Sequence, residues 1–150
     1  MIIRGFIDSS FSPPAPNIKA LVSIDRLKVG GFIKLLVDTG ASTTAILDRD
    51  RELLGISVSE LEKAPARISG IGGSVDTYIA RGAEMVFKTL DGEHRESLDL
   101  LVVKHDLSGL QREEAKRILA IPSLLGRDVI RRFKLIYSEA EDYVALEDRR

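Results

Sequence analysis

The sequence predicts a mainly β fold with two or three short helices. Several stretches alternate apolar and polar residues, as half-buried strands do. Turn-forming residues such as Asp-Gly separate these stretches. The segments with helical spacing are short and carry start or stop signals at their ends. A β-rich fold follows from these three observations.

The first strands surround a turn. Residues 17–25 (NIKALVSID) alternate apolar and polar side chains, and residues 32–38 (FIKLLVD) continue after a turn expected at Gly30-Gly31. Residues 12–16 (SPPAP) precede them and are typical of a rigid, extended connector, because proline favours that conformation. This connector separates a leading strand from the rest of the chain.

The later strands form two expected hairpins. Asp91-Gly92 is a common tight-turn signal between the first two of them, and an acidic loop lies between the last two. The four strands are expected at residues 78–90, 97–103, 133–137 and 143–147.

Helical segments are few and bounded by clear signals. Gly55 follows the first as helix-ending glycines do, and Pro122 stops the second. Ser108 and Gln111 have the spacing of a capping box, which predicts a helix start there. The three helices are expected at residues 47–54, 109–120 and 127–133.

Composition predicts one domain over residues 1–150 with a hydrophobic core, since 44% of the 150 residues are hydrophobic. The 22 basic and 23 acidic residues give a net charge of −1, so nothing favours nucleic acid or an anionic membrane as partner. Cysteine is absent, which excludes disulfides and thiolate chemistry. No apolar run suits a signal peptide or a membrane span, so a cytoplasmic protein is expected.

Three motifs share one order along the chain: LLVDTGAS at residues 35–42, SGIGGS at 69–74 and PSLLGRDVI at 122–130. Singly, each has a simpler interpretation as a turn, a hairpin tip, or a buried strand entering a helix. Together, over residues 18–133, they resemble the retropepsin-like aspartic proteases, the single-domain, retroviral-protease-like family in its prokaryotic type. The resemblance implies a closed β-barrel, the single lobe of the acid protease fold.

By this resemblance, Asp38 is the catalytic carboxylate of an aspartic endopeptidase that hydrolyses extended peptide segments. Thr39 locks the active loops together through its hydroxyl, Gly40 lets the backbone approach substrate, and Ala41 is small where bulk would obstruct the cleft. No metal or organic cofactor is implied.

One chain carries only half of the required chemistry. Two carboxylates about 3 Å apart cannot both ionise easily, so they share a proton and can activate water between them. Asp38 lies in the only Asp-Thr/Ser-Gly of the sequence, because Asp76-Thr77 is followed by tyrosine and Asp8-Ser9 by serine. The resemblance therefore implies a homodimer with Asp38 of both subunits at a two-fold axis.

Two further segments receive roles from the resemblance. Gly70, Ile71, Gly72 and Gly73 would form a flexible flap that closes over a peptide or unfolded protein substrate. Structural support beneath the active loop is assigned to Leu124, Leu125, Gly126, Arg127 and Asp128. Several viral members pair this arginine with an acidic residue where Ser42 stands here, so the sequence names no partner for Arg127.

Other functions are less well supported. A non-catalytic dimerisation or peptide-binding module with the same fold stays open, because an intact Asp-Thr-Gly does not prove turnover. His94 and His105 lack neighbours at zinc-site spacing, and His94 is expected to be solvated. SGIGGS lacks the lysine and Ser/Thr of a phosphate-binding loop.

Overall fold

A computed structural model describes residues 1–64 and 75–149. The strands in these residues are β1 (Ile2–Arg4), β2 (Phe6–Asp8), β3 (Ala15–Ile24), β4 (Val29–Val37), β5 (Ala45–Ile46), β6 (Glu62–Lys63), β7 (Val75–Lys88), β8 (Glu93–His105), β9 (Ser123–Leu125), β10 (Phe133–Ser138) and β11 (Tyr143–Asp148). The α-helices are α1 (Asp48–Leu54), α2 (Arg112–Leu119) and α3 (Arg127–Ile130).

The larger sheet closes on itself. Its strands follow the order β2-β3-β4-β9-β5-β8-β7-β6, and β3 pairs additionally with β7. That extra pairing turns β3, β4, β9, β5, β8 and β7 into a closed six-stranded barrel. A second sheet has the order β1-β11-β10. The prediction of a mainly β, retropepsin-like barrel with two or three short helices is confirmed.

The core fills the inside of the barrel with the inward-facing half of each strand. On β3 and β4 the register pairs Ile18 with Leu35 and Ala20 with Ile33, and all four side chains are buried. Burying a side chain of leucine or isoleucine size stabilises a fold by about 1.5–3 kcal/mol, so these strands anchor the wall that carries Asp38.

The turn expected at Gly30-Gly31 is wrong. The chain reverses at a 3-10 turn, Asp25–Leu27, after which Lys28 adopts a left-handed φ of 54°. Both glycines belong to β4 instead. A Cβ on Gly31 would lie 2.8 Å from Leu54 Cδ2, so this glycine makes room for helix α1.

The first helix ends as predicted, with Gly55 at a φ of 72°. The capping box at Ser108 is wrong, because Gln111 is the N-cap of α2. The Ser108 hydroxyl donates instead to Asp106 at 2.6 Å, and this bond lowers the pKa of the Asp106 carboxyl. Helix α3 is shorter than expected, since Phe133 already pairs with Asp148 in the next hairpin. No helix within residues 1–64 and 75–149 is long and apolar enough to cross a membrane.

Candidate active site

Asp38 lies where β4 leaves the barrel, at the start of a tight turn. Its backbone N–H donates to the Leu125 carbonyl at 3.0 Å, and its own carbonyl accepts from the Ala41 N–H at 3.2 Å. The carboxylate Oδ1 accepts from the Gly40 N–H at 2.9 Å. Asp38 is half-buried, whereas Thr39 and Gly40 are exposed. The turn therefore presents a positioned carboxylate at the protein surface.

A second segment holds this loop from one side. Strand β9 runs parallel to β4, with Leu36 opposite Leu124 and Val37 opposite Leu125. Beyond β9, the Arg127 N–H donates to the Ala41 carbonyl at 2.8 Å. Backbone hydrogen bonds to a regular strand and helix fix the loop more firmly than bonds within the loop alone could.

The Arg127 guanidinium reaches the active loop directly. Its Nη1 donates to the Thr39 carbonyl at 2.7 Å. The expected acidic partner is absent because residue 42 is serine, and a backbone carbonyl of the loop takes its place. A charged donor makes a stronger hydrogen bond than a neutral one, so Arg127 restrains the residue that follows Asp38.

Asp128 anchors the far end of the loop. Its carboxylate accepts from the Thr44 N–H at 3.0 Å and from the Thr44 hydroxyl at 2.7 Å. The same hydroxyl oxygen accepts from the Gly126 N–H at 3.0 Å. Asp128 also accepts from the Val129 N–H at 2.9 Å, at the start of α3. The carboxylate thus joins the loop to the helix and leaves few of its lone pairs free.

Gly126 lies so close to the loop that no side chain fits. A Cβ at this position would be 2.5 Å from the Thr43 carbonyl carbon and 2.8 Å from the Thr44 nitrogen. Beside it, Leu125 is fully buried in the main core, and Leu124 packs half-buried against a smaller cluster. The structure brings these residues together with Asp38, Thr39, Gly40, Ala41, Arg127 and Asp128. The predicted flap residues Gly70, Ile71, Gly72 and Gly73 lie outside the described residues.

The comparisons with known proteins agree with this geometry. The family model described as aspartyl protease matches residues 28–129, more than half of the chain. The chain belongs to the aspartyl protease family. A search of curated proteins found no significant match.

The solved structures similar to this aspartyl protease chain have retropepsin-like folds. A retropepsin-like aspartic protease from Rickettsia conorii aligns with a TM-score of 0.53 and 22% identity, over 97% of this chain and 88% of that chain. The EIAV protease complexed with the inhibitor HBY-793 gives 0.45 and 19%, over 78% and 86%. The retroviral protease-like domain of Ddi1 from Leishmania major gives 0.48 and 12%, over 88% and 93%.

The sequence analysis missed a buried ionic pair in this aspartyl protease. Asp48 Oδ1 accepts from the His105 N–H at 2.9 Å, and Oδ2 contacts His105 Nδ1. Arg51 lies 3.5 Å from the same carboxylate. The two partners are 57 residues apart, so no local spacing could reveal them. They tie the start of α1 to the end of β8, on the protein side of the active loop's return strand.

A buried polar link also joins α1 to the strand beneath the loop. The Ser123 hydroxyl donates to Asp50 at 2.6 Å and accepts from the Leu47 N–H at 3.0 Å. His94, expected to be solvated, contacts Glu96 at 2.7 Å and packs edge-on against the Phe133 ring. Within residues 1–64 and 75–149, no group of three or more His, Cys, Asp or Glu side chains could hold a metal ion.

Proposed function

We propose that this chain is an aspartic endopeptidase that works as a homodimer, with a water activated between two copies of Asp38. The substrates are extended segments of peptides or unfolded proteins. The observation that carries this proposal is the state of the Asp38 carboxylate. Within the described part of the chain, its one hydrogen bond comes from Gly40 to Oδ1, so Oδ2 faces the loop surface without a donor.

Peptide hydrolysis by carboxylates needs two of them. One accepts a proton from water while the other donates a proton to the substrate carbonyl oxygen. The sequence holds one Asp-Thr-Gly, so the second carboxylate has to come from another copy. An isologous interface places identical residues opposite each other, which makes a symmetric dimer the simplest source.

The contacts around the loop support a preorganised site. Arg127, Asp128 and Leu125 fix the loop through bonds to its backbone, so little reorganisation remains for the reaction itself. In the proposed dimer the exposed Thr39 contacts the partner loop. Gly40 and Ala41 leave space for the substrate backbone, and residues 70–73 close over it.

The decisive experiment replaces Asp38 by asparagine, which keeps the shape and removes the acid. We expect Asp38→Asn to fold and dimerise like the wild type and to lose cleavage of a denatured protein by about a thousand-fold or more. Cleavage is followed across acidic and neutral pH, and the dimer by sedimentation. Asp76→Asn is the matched control, because Asp76 is exposed and followed by threonine but not by glycine.

The outcomes separate the proposal from its main alternative. A stable dimer that cleaves nothing at any pH supports a non-catalytic dimerisation or peptide-binding module. A stable monomer, or a dimer whose Asp38 side chains are far apart, contradicts the proposed mechanism. A transition-state mimic with a hydroxyl at the scissile position should bind and raise the melting temperature, since ligands that bind only the folded state stabilise it.

A further inference from the structure

The outer wall of the barrel formed by β3, β4 and β7 carries an unusual pair of like charges. Lys19 on β3 and Lys34 on β4 are directly opposite in the antiparallel register, and both are exposed. Side chains in such pairs start about 5 Å apart, and like charges there destabilise the sheet. Phe32 lies on the same outer face and is 52% exposed. The sheet therefore keeps a repulsive pair beside an exposed aromatic ring.

The positive charges on this wall contact rings rather than carboxylates. Within residues 1–64 and 75–149, no ion pair involves Arg4, Lys19, Lys34 or Lys88, and three of these four cations contact an aromatic ring. A ring contact leaves the charge uncompensated, unlike an ion pair. The pairs are Arg4 over Tyr143 at 4.4 Å, Lys34 over Phe6 at 5.8 Å and Lys88 over Phe32 at 5.9 Å.

Nearby acidic groups are already engaged. Farther along β7, Glu84 accepts from Arg95 at 2.6 Å. Lys34 lowers the pKa of Asp8, but the hydrogen bonds from Ser10 are the larger cause. Carboxylates of the chain itself therefore leave the cations of the wall available to an external anion.

A depression of about 200 Å³ lies among these cations. It is smaller than the pockets of about 300–1,000 Å³ that hold drug-sized ligands, so its size suits one side chain. Phe32 and Val86 give it an apolar surface, and the positive groups surround them. Its lining residues are Arg4, Lys19, Phe32, Val86 and Lys88.

We propose that this wall, defined by Arg4, Lys19, Lys34 and Lys88 around Phe32, is a docking surface for an acidic, extended segment of a partner protein. One apolar side chain of the segment occupies the depression, and flanking carboxylates bind the cations. Binding relieves the Lys19–Lys34 repulsion. A polypeptide fits better than a nucleic acid because the whole chain has a net charge of −1, which repels a long polyanion. The proposal does not depend on catalysis at Asp38.

Fluorescence anisotropy tests it with a labelled peptide that has a central leucine between runs of glutamate. We expect the peptide to bind, more weakly as salt is raised, and more weakly still when glutamine replaces glutamate or alanine replaces leucine. The double variant Lys19→Glu/Lys88→Glu should weaken binding by about tenfold or more. The Asp38→Asn variant should bind like the wild type, which separates this surface from the proposed active site.

The matched control is Arg112→Glu/Arg117→Glu on helix α2, which changes the net charge equally and should alter the dissociation constant by less than about threefold. Lys19→Gln, which removes repulsion, should weaken binding without lowering the melting temperature. The proposal is overturned if the peptide fails to bind, or if both double variants weaken binding equally. It is also overturned if a single-stranded RNA binds the wall more tightly and loses binding in Lys19→Glu/Lys88→Glu.

Discussion

Strands β4 and β9 lie side by side and parallel, yet they end in opposite ways. Strand β4 ends at Asp38 in a loop whose next two residues are exposed. Strand β9 ends at the buried Gly126 and enters helix α3 directly. The first ending presents a carboxylate, and the second supplies the donors and the acceptor that hold it. Chemistry and support thus come from two distant parts of the chain that meet at one edge of the barrel.

The aspartates near these endings show the same division. Asp128 accepts from the Thr44 N–H and hydroxyl and from the Val129 N–H. Asp38 accepts, among the described residues, from the Gly40 N–H alone. A carboxylate with satisfied lone pairs serves as an anchor, whereas one with an oxygen to spare can bind water or substrate. The surroundings, rather than the residue type, distinguish the two.

The strongest way to break this arrangement is to add a methyl group at Gly126. We expect Gly126→Ala to lower the free energy of unfolding by about 3 kcal/mol or more, because the new Cβ would meet backbone atoms that cannot move cheaply. Urea unfolding measures it. Gly92→Ala is the control, since nothing lies within 4 Å of a Cβ there, and it should cost less than about 1 kcal/mol. Equal losses would show that Gly126 is not a packing constraint.

A smaller effect is expected at the anchoring carboxylate. Asp128→Ala leaves the Thr44 N–H and hydroxyl without their acceptor, so we expect a loss of about 2 kcal/mol in unfolding free energy. Asp128→Asn keeps an acceptor oxygen and should lose about half as much. Thermal and urea unfolding of both variants provide the comparison. If asparagine costs as much as alanine, the negative charge rather than the hydrogen bonding holds the loop.

The smallest effect on stability is expected at Arg127. Because its guanidinium is exposed and makes one bond to the Thr39 carbonyl, Arg127→Ala should cost about 1 kcal/mol or less. If the proposed chemistry is right, kcat should fall by about tenfold with little change in KM, since the loop loses a restraint. Arg131→Ala, an exposed arginine beyond α3, should leave both unchanged. A kcat equal to that of wild type would show that Arg127 does not position the loop.

Local patterns were sufficient to predict most of the fold. Alternation located β3, β4 and the final hairpin, and Gly55 marked the end of α1, because these signals lie within a few neighbouring residues. The turn before β4 was misplaced because Gly31 serves packing against Leu54 rather than chain reversal. Ser108 misled in the same way, since its hydroxyl bonds to Asp106 outside the helix.

The site was predictable only in part. Asp38 and the residues after β9 were recognised from motifs, but the bond from Arg127 to the Thr39 carbonyl was not, because a backbone acceptor leaves no mark on residue types. The Asp48–His105 pair was missed because it joins residues brought together only by the fold. Burial of such groups follows from long-range packing, which a single sequence does not display.

The contacts that fix the Asp38 loop span 88 positions between Thr39 and Arg127. Contacts so distant along the chain close slowly, after local hairpins have formed. A ribosome therefore releases Asp38 long before the segment that orders its surroundings exists. We expect a growing chain to be chemically inert until its last third emerges, so that a maturing enzyme cannot attack unfinished copies of itself.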